Sequence, residues 1–191
     1  GLGSRLMPVG FYYKTFMGPA GWWERYERLI RPIAGMGLTP DGPDPDRYEK
    51  RDLHCTALIV GAGPAGIAAA LRLARAGVDV VLAHQDRRAG GGLLASTARL
   101  DGQTGVDWVE TALEELRQRA NVRLLLSTSV FGHYDHHYLG ALERVDEQQP
   151  TAPIRERFWK IRCRQLILAA GALERPIAFP DNDRPGIMTA S

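Results

Sequence analysis

The sequence predicts an α/β fold that is built around a parallel sheet. Residues 56–60 (TALIV) and 79–83 (DVVLA) are short apolar runs, which are typical of strands buried on both faces. Between them, residues 64–76 carry small side chains and are followed by Gly77, a pattern typical of a helix and its C-terminal cap. Strand, helix and strand within about thirty residues predict a βαβ unit, whose parallel strands need a right-handed crossover.

The turn between the first strand and the helix carries the sequence GAGPAG. In a dinucleotide-binding turn, a glycine at the place of Gly61 permits the tight exit from the strand, and one at Gly63 lets the main chain approach a pyrophosphate. Gly66 would allow close packing of the helix on the strand, and the helix N-terminus adds partial positive charge. Because the motif lies between a predicted strand and a predicted helix, it predicts a Rossmann-like FAD- or NAD(P)-binding domain. The cofactor-contacting residues of this turn would be Gly61, Ala62, Gly63, Pro64, Ala65 and Gly66.

Two later segments are predicted to reach the same edge of the sheet. Gly91, Gly92 and Leu93 follow the second strand, and glycines there would let the main chain approach a second phosphate or a flavin. Residues 165–172 (QLILAAGA) predict a buried strand that ends at Ala170 and Gly171. Open α/β sheets bind ligands at the carboxyl ends of their strands, so we expect both segments to lie beside the glycine turn.

The rest of the domain predicts a helix, a strand and a small antiparallel meander. Thr104 and Asp107 suggest a capping box before a helix whose apolar residues recur on one face. Residues 122–130 (VRLLLSTSV) predict a third buried strand. Three alternating segments separated by turns predict the meander; they are residues 131–137, 139–145 and 157–163.

Residues 1–50 are predicted to form an irregular arm before the dinucleotide-binding domain, residues 51–191. The arm holds half of the prolines together with clustered aromatic residues, including Phe11, Tyr12 and Tyr13. One short helix is expected over residues 21–34. The chain starts with Gly and ends after NDRPGIMTAS, so we expect a fragment whose domain is incomplete at its C-terminus.

The segment after the second strand departs from the usual dinucleotide site. Such sites usually place an Asp or Glu there, whose carboxylate holds a ribose hydroxyl pair, but this chain has His84 and Gln85. One interpretation is that Gln85, or Asp86 after a small loop shift, still holds the ribose. A second is that Arg87 or Arg88 binds a 2′-phosphate, which would favour NADP. A third is that both arginines are simply solvated.

Composition and motifs exclude several other function classes. A net charge of +2 without a basic block gives no basis for nucleic-acid binding. The longest uncharged run is interrupted by glycines and a proline, so no membrane span is expected. The two cysteines form neither a CxxC motif nor a disulfide framework, and no secretory signal is visible. We therefore expect a cytoplasmic protein with reduced thiols.

No catalytic residue and no metal site are predicted. His133, Asp135 and His137 would share one face if they lay on a strand, but no second cluster of ligands accompanies them. Enzymes of the glutathione-reductase type carry a redox-active disulfide after this pair of glycines, but no cysteine follows Gly91 and Gly92 in this chain. Nucleophile-elbow and P-loop motifs are absent as well.

Several longer segments resemble one family over essentially the whole chain. RLMPVGFYYKTFM (5–17), WERYERLIRPIAGMG (23–37), TSVFGHYDHH (128–137) and AAGALERPIAFPDNDRPGIM (169–188) are similar, in this order, to the α subunits of heterotetrameric sarcosine oxidases. GAGPAG is shared by many flavoproteins, whereas the PVGFYYK arm and the ERPIAFPDNDRPG tail are more specific. Members of the family usually have an acidic pair where His84 and Gln85 stand.

The resemblance implies an oxidoreductase that acts on the CH–NH group of donors, with this chain as a non-catalytic piece of its α subunit. Sarcosine would be demethylated to glycine at FAD in the β subunit, and electrons would pass through FMN to oxygen. The α subunit would bind NAD, and smaller subunits would complete the heterotetramer. The implied NAD site comprises Gly61, Gly63, Gly66, His84, Gln85, Gly91, Gly92, the main chain near Val130, and Gly171.

Other functions fit the same motifs. FAD or NADP could occupy the site of a self-contained NAD(P)H-dependent reductase. Related α-type subunits serve opine oxidases, cyanide synthases and proline dehydrogenases. An assembly scaffold that binds no nucleotide is the remaining alternative.

Overall fold

The computed structural model describes residues 19, 21–33, 35, 42–172, 175, 177–182 and 184–188. The chain divides into two compact units, residues 1–45 and 46–191. In the described part of the first unit, helix α1 (Trp23–Ile33) lies within the predicted range of 21–34. The arm residues Phe11, Tyr12 and Tyr13 lie outside the described residues.

The second unit is a mixed sheet with helices and a meander. Its elements are β1 (Tyr48–Val60), α2 (Pro64–Arg75), β2 (Val80–Ala83), a 3-10 turn (Gly91–Leu94), β3 (Arg99–Leu100), β4 (Gln103–Thr104), α3 (Gly105–Arg117), β5 (Val122–Leu125), β6 (Thr128–Tyr134), a second 3-10 turn (Asp135–His137), β7 (Tyr138–Arg144), α4 (Val145–Gln148) and β8 (Glu156–Leu168). The six-stranded sheet has the order β5-β2-β1-β8-β7-β6, and β3 and β4 form a separate hairpin. Strands β5, β2, β1 and β8 pair in parallel, whereas β8, β7 and β6 form the predicted antiparallel meander.

Local capping signals explain the two long helices. Helix α2 follows Gly63 with Pro64 in its first turn, where the missing N–H of proline costs no hydrogen bond. It ends before Gly77, whose positive φ of 78° suits a glycine after a helix. At α3, the Asp107 N–H donates to the Thr104 hydroxyl at 3.2 Å, which confirms the predicted cap.

The parallel strands are covered on both faces. Ile59 of β1 and Leu82 of β2 belong to a buried cluster that includes residues of α2 and α3. Their neighbours Leu58 and Val81 belong to a second cluster, which includes Trp159 and other residues of the meander. Helices and meander therefore lie on opposite faces of the parallel sheet, which explains why its strands are apolar throughout.

Two strands are longer than the apolar pattern predicts. β1 begins at Tyr48, inside the predicted arm, and β8 joins the two segments that were predicted as separate strands. The N-terminal halves of both strands are rich in charge, so they carry no apolar signal. Arg157 accounts for part of that charge: it donates to Glu49 at 2.6 Å and to Glu143 at 2.9 Å, which links β1, β8 and β7.

The prediction of a single strand over residues 122–130 is wrong, because the strand is interrupted between β5 and β6. Ser127 at the break has a positive φ of 49° and is fully buried. β5 and β6 stand at opposite ends of the sheet order, although only two residues separate them. Two residues span less than about 11 Å from strand to strand, so the sheet must curl back on itself. The start of β6 consequently lies next to the end of β2, where the Thr128 N–H donates to the His84 carbonyl at 2.7 Å.

Candidate functional site

The glycine turn joins β1 to α2 through two very close approaches of main chain. Gly61 has a φ of 104°, and a Cβ atom there would lie 2.2 Å from the carbonyl oxygen of Ala169. A Cβ atom on Gly66 would lie 1.8 Å from the carbonyl oxygen of Gly61. Both positions therefore require glycine for the fold itself, as the motif predicts.

Gly63 has a different environment from the other two glycines of the turn. Its main chain is extended, with φ of −77° and ψ of −175°, and no heavy atom lies within 4 Å of the position that a Cβ would occupy. The first hydrogen bond of α2 runs from the Ile67 N–H to the Gly63 carbonyl at 2.9 Å. The N–H groups of Ala65 and Gly66 precede that bond, and such groups at a helix N-terminus suit an anion.

A cleft of about 430 Å³ lies at the carboxyl ends of β1, β2 and β8. Most of the predicted site residues line it: Gly61, Gly63, Pro64, Ala65, His84, Gln85, Gly91, Gly92, Ala170 and Gly171. Six further residues line it: Asp86, which the sequence analysis considered as a ribose contact after a small loop shift, and Val60, Ala83, Thr128, Ala169 and Ala172, which were not among the predicted site residues. Most of these are direct neighbours of predicted residues at strand ends, whereas Thr128 reaches the cleft only because the sheet curls.

Four predicted residues do not line the cleft. Ala62 is fully buried behind the turn, and Gly66 lies in the helix–strand contact. Leu93 points into the core beneath α3, because the 3-10 turn directs it inward. Val130 lies farther along β6, opposite Ala141, and packs against the core on the meander side of the sheet.

The second glycine segment contacts the first directly. Gly91 has a φ of 53°, and a Cβ atom there would lie 3.3 Å from the Cα atom of Gly63. The Gly90 N–H donates to the Ala62 carbonyl at 2.7 Å, which holds the two segments together. Main chain from both segments therefore faces the cleft, as expected for groups that approach phosphates closely.

The ring of His84 is turned inward rather than toward the cleft centre. The residue is 8% exposed, and its Nδ1 accepts a hydrogen bond from the Ala62 N–H at 3.2 Å. Its Nε2 lies 3.2 Å from the Arg88 carbonyl and 3.5 Å from the Asp86 carboxylate. Both ring nitrogens are therefore engaged within the protein, which leaves neither free for a ribose.

Residues 85–88, which we call the tip, are anchored by their main-chain carbonyls. Each of the four carbonyls lies within hydrogen-bonding distance of a nitrogen outside the tip, and for the first three this nitrogen belongs to a distant segment. In order along the tip, these nitrogens belong to the Arg144 guanidinium (2.8 Å), the Ser127 main chain (3.0 Å), the Gln148 amide (3.4 Å) and the His84 ring (3.2 Å). The path of the tip is thus fixed, while the side chains of Gln85 and Asp86 remain exposed at the cleft.

The two arginines of the tip lie away from the cleft. Arg87 and Arg88 line a separate cavity of about 500 Å³ against α3, together with Glu110, Glu114 and Arg117 among others. Asp86 is the tip residue that brings a charged side chain to the cleft lining. The cleft therefore carries a carboxylate at the tip and no guanidinium from the described residues.

The histidine-rich segment does not form the strand face considered for a metal. The second 3-10 turn starts at Asp135, and His136 and His137 have positive φ values of 59° and 50°. The rings of His133 and His137 stack with their centroids 5.5 Å apart. Among the described residues, no three His, Cys, Asp or Glu side chains are arranged to share a metal ion.

The cysteines lie away from the cleft. Cys55 and Cys163 are register partners on β1 and β8, and both are buried and free. Burial, with a smaller contribution from Cys163, raises the pKa of Cys55 to about 12. Burial also raises the pKa of Cys163. Both thiols are consequently held in their neutral form, which is unreactive.

The sequence matches the model of one protein family. Residues 56–189 match the pyridine nucleotide-disulphide oxidoreductase family, which covers the glycine turn, the tip and β8. The chain belongs to this family. A domain of this family implies binding of FAD or a pyridine nucleotide, and the predicted Rossmann-like fold class is confirmed.

Two α subunits of sarcosine oxidases are similar to this chain in sequence. The α subunit of sarcosine oxidase from Rhizobium meliloti is 47% identical over all of this chain, and that from Corynebacterium sp. strain P-1 is 40% identical over 83% of it. These matches confirm the expected resemblance. The chain spans 20% of the first relative and 17% of the second.

A solved structure supports the same placement among oxidoreductases. L-proline dehydrogenase from P. horikoshii is 27% identical, with a TM-score of 0.56 over 72% of this chain and 27% of its own. The named α subunits imply that other subunits accompany them in those relatives.

Within the described ranges, no helix has the length and apolarity needed to cross a membrane.

Proposed function

We propose that the cleft binds NAD, with the pyrophosphate at the glycine turn and the adenosine ribose at the tip. The open space beside Gly63 at the start of α2 carries this proposal. A pyrophosphate there would meet main-chain N–H groups and the positive end of the helix without steric conflict. The contacting residues would be Gly61, Gly63, Pro64, Ala65, Gln85, Asp86, Gly91, Gly92, Ala170 and Gly171.

The charge at the tip favours a nucleotide without a 2′-phosphate. Asp86 can accept hydrogen bonds from ribose hydroxyls, and its carboxylate would repel a phosphate. Arg87 and Arg88, the candidates for a phosphate contact, line the other cavity. NAD is therefore preferred over NADP, and Asp86 takes the place of the acid that His84 and Gln85 lack. FAD has the same adenosine diphosphate group as NAD, so experiment must distinguish these two.

We further propose that the chain is the nucleotide-binding part of a sarcosine-oxidase-like α subunit. The 47% identity over the full chain supports this assignment. The cleft lining contributes main-chain groups, an inward imidazole and an exposed carboxylate, so it is suited to binding rather than to amine oxidation. Oxidative demethylation of sarcosine would then occur at flavin in a partner β subunit, with oxygen as acceptor.

A second candidate is an α-type subunit of an amine dehydrogenase. The structural similarity to L-proline dehydrogenase supports it. Both candidates keep the same nucleotide site and differ in the substrate of the whole protein. Steady-state assays of the intact complex with sarcosine and with L-proline distinguish them.

The nucleotide itself is tested by release and by titration. The purified protein is denatured, and released nucleotides are identified by chromatography; the nucleotide-depleted protein is then titrated with NAD, NADP and FAD by calorimetry. We expect NAD to bind at least about tenfold more tightly than NADP, a difference of about 1.4 kcal/mol. Tighter NADP binding would contradict the role of Asp86. Failure of all three to bind at millimolar concentration would favour a scaffold.

A further inference from the structure

We propose that His84 is a positioning residue of the dinucleotide site, which fixes the glycine turn against the tip through its neutral ring. This inference rests on the proposed function, because the two segments it joins are those that would contact pyrophosphate and ribose. The resemblance to sarcosine oxidase α subunits implied that His84 belongs to the NAD site. Its buried position and its hydrogen bonds assign it a different role.

The main chain of His84 is fixed before its ring makes any contact. Its N–H donates to the Leu125 carbonyl at 2.8 Å, and its carbonyl accepts from the Thr128 N–H at 2.7 Å. These bonds tie it to the end of β5 and the start of β6, the point at which the sheet curls. The ring therefore projects from a rigid base toward the back of the glycine turn.

The two ring contacts define one tautomer. A neutral imidazole has one acceptor nitrogen and one donor nitrogen. Because Nδ1 faces the Ala62 N–H, Nδ1 is the acceptor, and the proton is on Nε2, which donates to the Arg88 carbonyl. An Asp or Glu at this position would have no proton with which to bond that carbonyl. The neutral histidine ring provides both functions across this gap, at the distances that the two contacts show.

The ring holds Ala62 at the centre of the glycine turn. The Ala62 N–H bonds to His84, and the Ala62 carbonyl bonds to the Gly90 N–H at 2.7 Å. Both polar main-chain groups of Ala62 thus face the protein. The adjacent Gly63 is left to face the cleft with its open space, and the distance between turn and tip is set before a ligand arrives.

A matched pair of variants tests this role in the intact protein. His84→Asn keeps an acceptor near the position of Nδ1, whereas His84→Leu has similar bulk and no acceptor, so the Ala62 N–H loses its partner. His133→Ala removes an exposed histidine away from the cleft and serves as the control. Each variant is titrated with NAD, and its melting temperature is measured.

We expect His84→Leu to bind NAD about tenfold more weakly than native protein, with most of the affinity retained in His84→Asn. The control should match native protein. Two-bond ¹⁵N–¹H spectra of histidine-labelled protein should show His84 protonated at Nε2 alone, and this signal should be missing in His84→Asn.

Three results would overturn the inference. In the first, His84→Leu is folded and binds NAD as native protein does. In the second, His84→Asn and His84→Leu lose equal affinity, which would mean that the acceptor is irrelevant. In the third, the spectrum shows a proton on Nδ1. If native protein itself binds none of NAD, NADP and FAD, the proposed function fails and this inference fails with it.

Discussion

Substitution of Gly63 by alanine should separate nucleotide binding from folding. The main chain at Gly63 is extended, a conformation that alanine adopts without strain, and no atom lies within 4 Å of the new methyl group. Alanine is a poorer residue than glycine at a helix N-cap, so we expect a loss of about 0.5–1 kcal/mol in the free energy of unfolding. A domain of this size tolerates such a loss.

The effect on binding should be larger than the effect on stability. The methyl group would occupy space through which a pyrophosphate approaches the N-terminus of α2. Hydrogen bonds to a charged group contribute about 1.5–3 kcal/mol each. Loss of one of them corresponds to a Kd that is raised between about tenfold and about 140-fold.

The assay is a calorimetric titration with NAD together with a thermal melt. Gly42→Ala is the matched control, since Gly42 also has no atom within 4 Å of its Cβ position and does not line the cleft. Gly66→Ala is the opposite control, because its methyl group would collide with the Gly61 carbonyl and should disrupt the fold. A folded Gly63→Ala protein with the native Kd for NAD would refute the placement of the pyrophosphate.

Three further predictions concern the charged network of the long strands and the buried thiols. Arg157→Ala should lower the free energy of unfolding by about 2–3 kcal/mol, because it leaves two carboxylates without their shared partner, whereas exposed Arg51→Ala should cost less than about 0.5 kcal/mol. Urea denaturation measures both, and equal losses would contradict the explanation. Cys55 and Cys163 should react with a thiol reagent at pH 8 only after unfolding, and labelling of native protein at the rate of a free cysteine would contradict their burial. The pKa of Cys55 is raised in the folded state, so its contribution to the free energy of unfolding should be fully present below about pH 8.5. This contribution should be lost as the pH rises toward 12. Urea denaturation of native protein and of Cys55→Ala across that pH range measures the loss.

The parts of the fold that the sequence predicted depend on local signals. The glycine spacing at 61–66, the Thr104 cap and the apolar runs of β1 and β2 each act within a few residues. Sequence reading detects such patterns because the same residues that form the pattern also form the element. This explains why the glycine turn, helix α2, strand β2 and the C-terminal end of β1 were predicted close to their observed bounds.

The parts that were missed depend on contacts between distant residues. β1 and β8 extend through charged residues because each supplies the other with a pairing partner about a hundred residues away. The interruption between β5 and β6 at Ser127 depends on the tip, because the Asp86 carbonyl accepts a hydrogen bond from the Ser127 N–H. Thr128 enters the cleft in place of Val130 for the same reason. None of these contacts produces a periodic pattern of residue types in the sequence.

The tip illustrates how an atypical sequence can be compatible with an ordinary site. All four carbonyls of residues 85–88 are held by groups outside the tip, three of them from distant segments, so the path of the tip does not depend on the side chains of residues 85–88. His84 contributes to that path instead of contacting a ribose, and Asp86 brings a carboxylate to the cleft one residue later than Gln85. A missing acid at 84 and 85 is therefore no argument that the site is lost. In the proposed nucleotide site, the main chain would supply most of the binding surface, and the side chains of the tip would set which nucleotide is preferred.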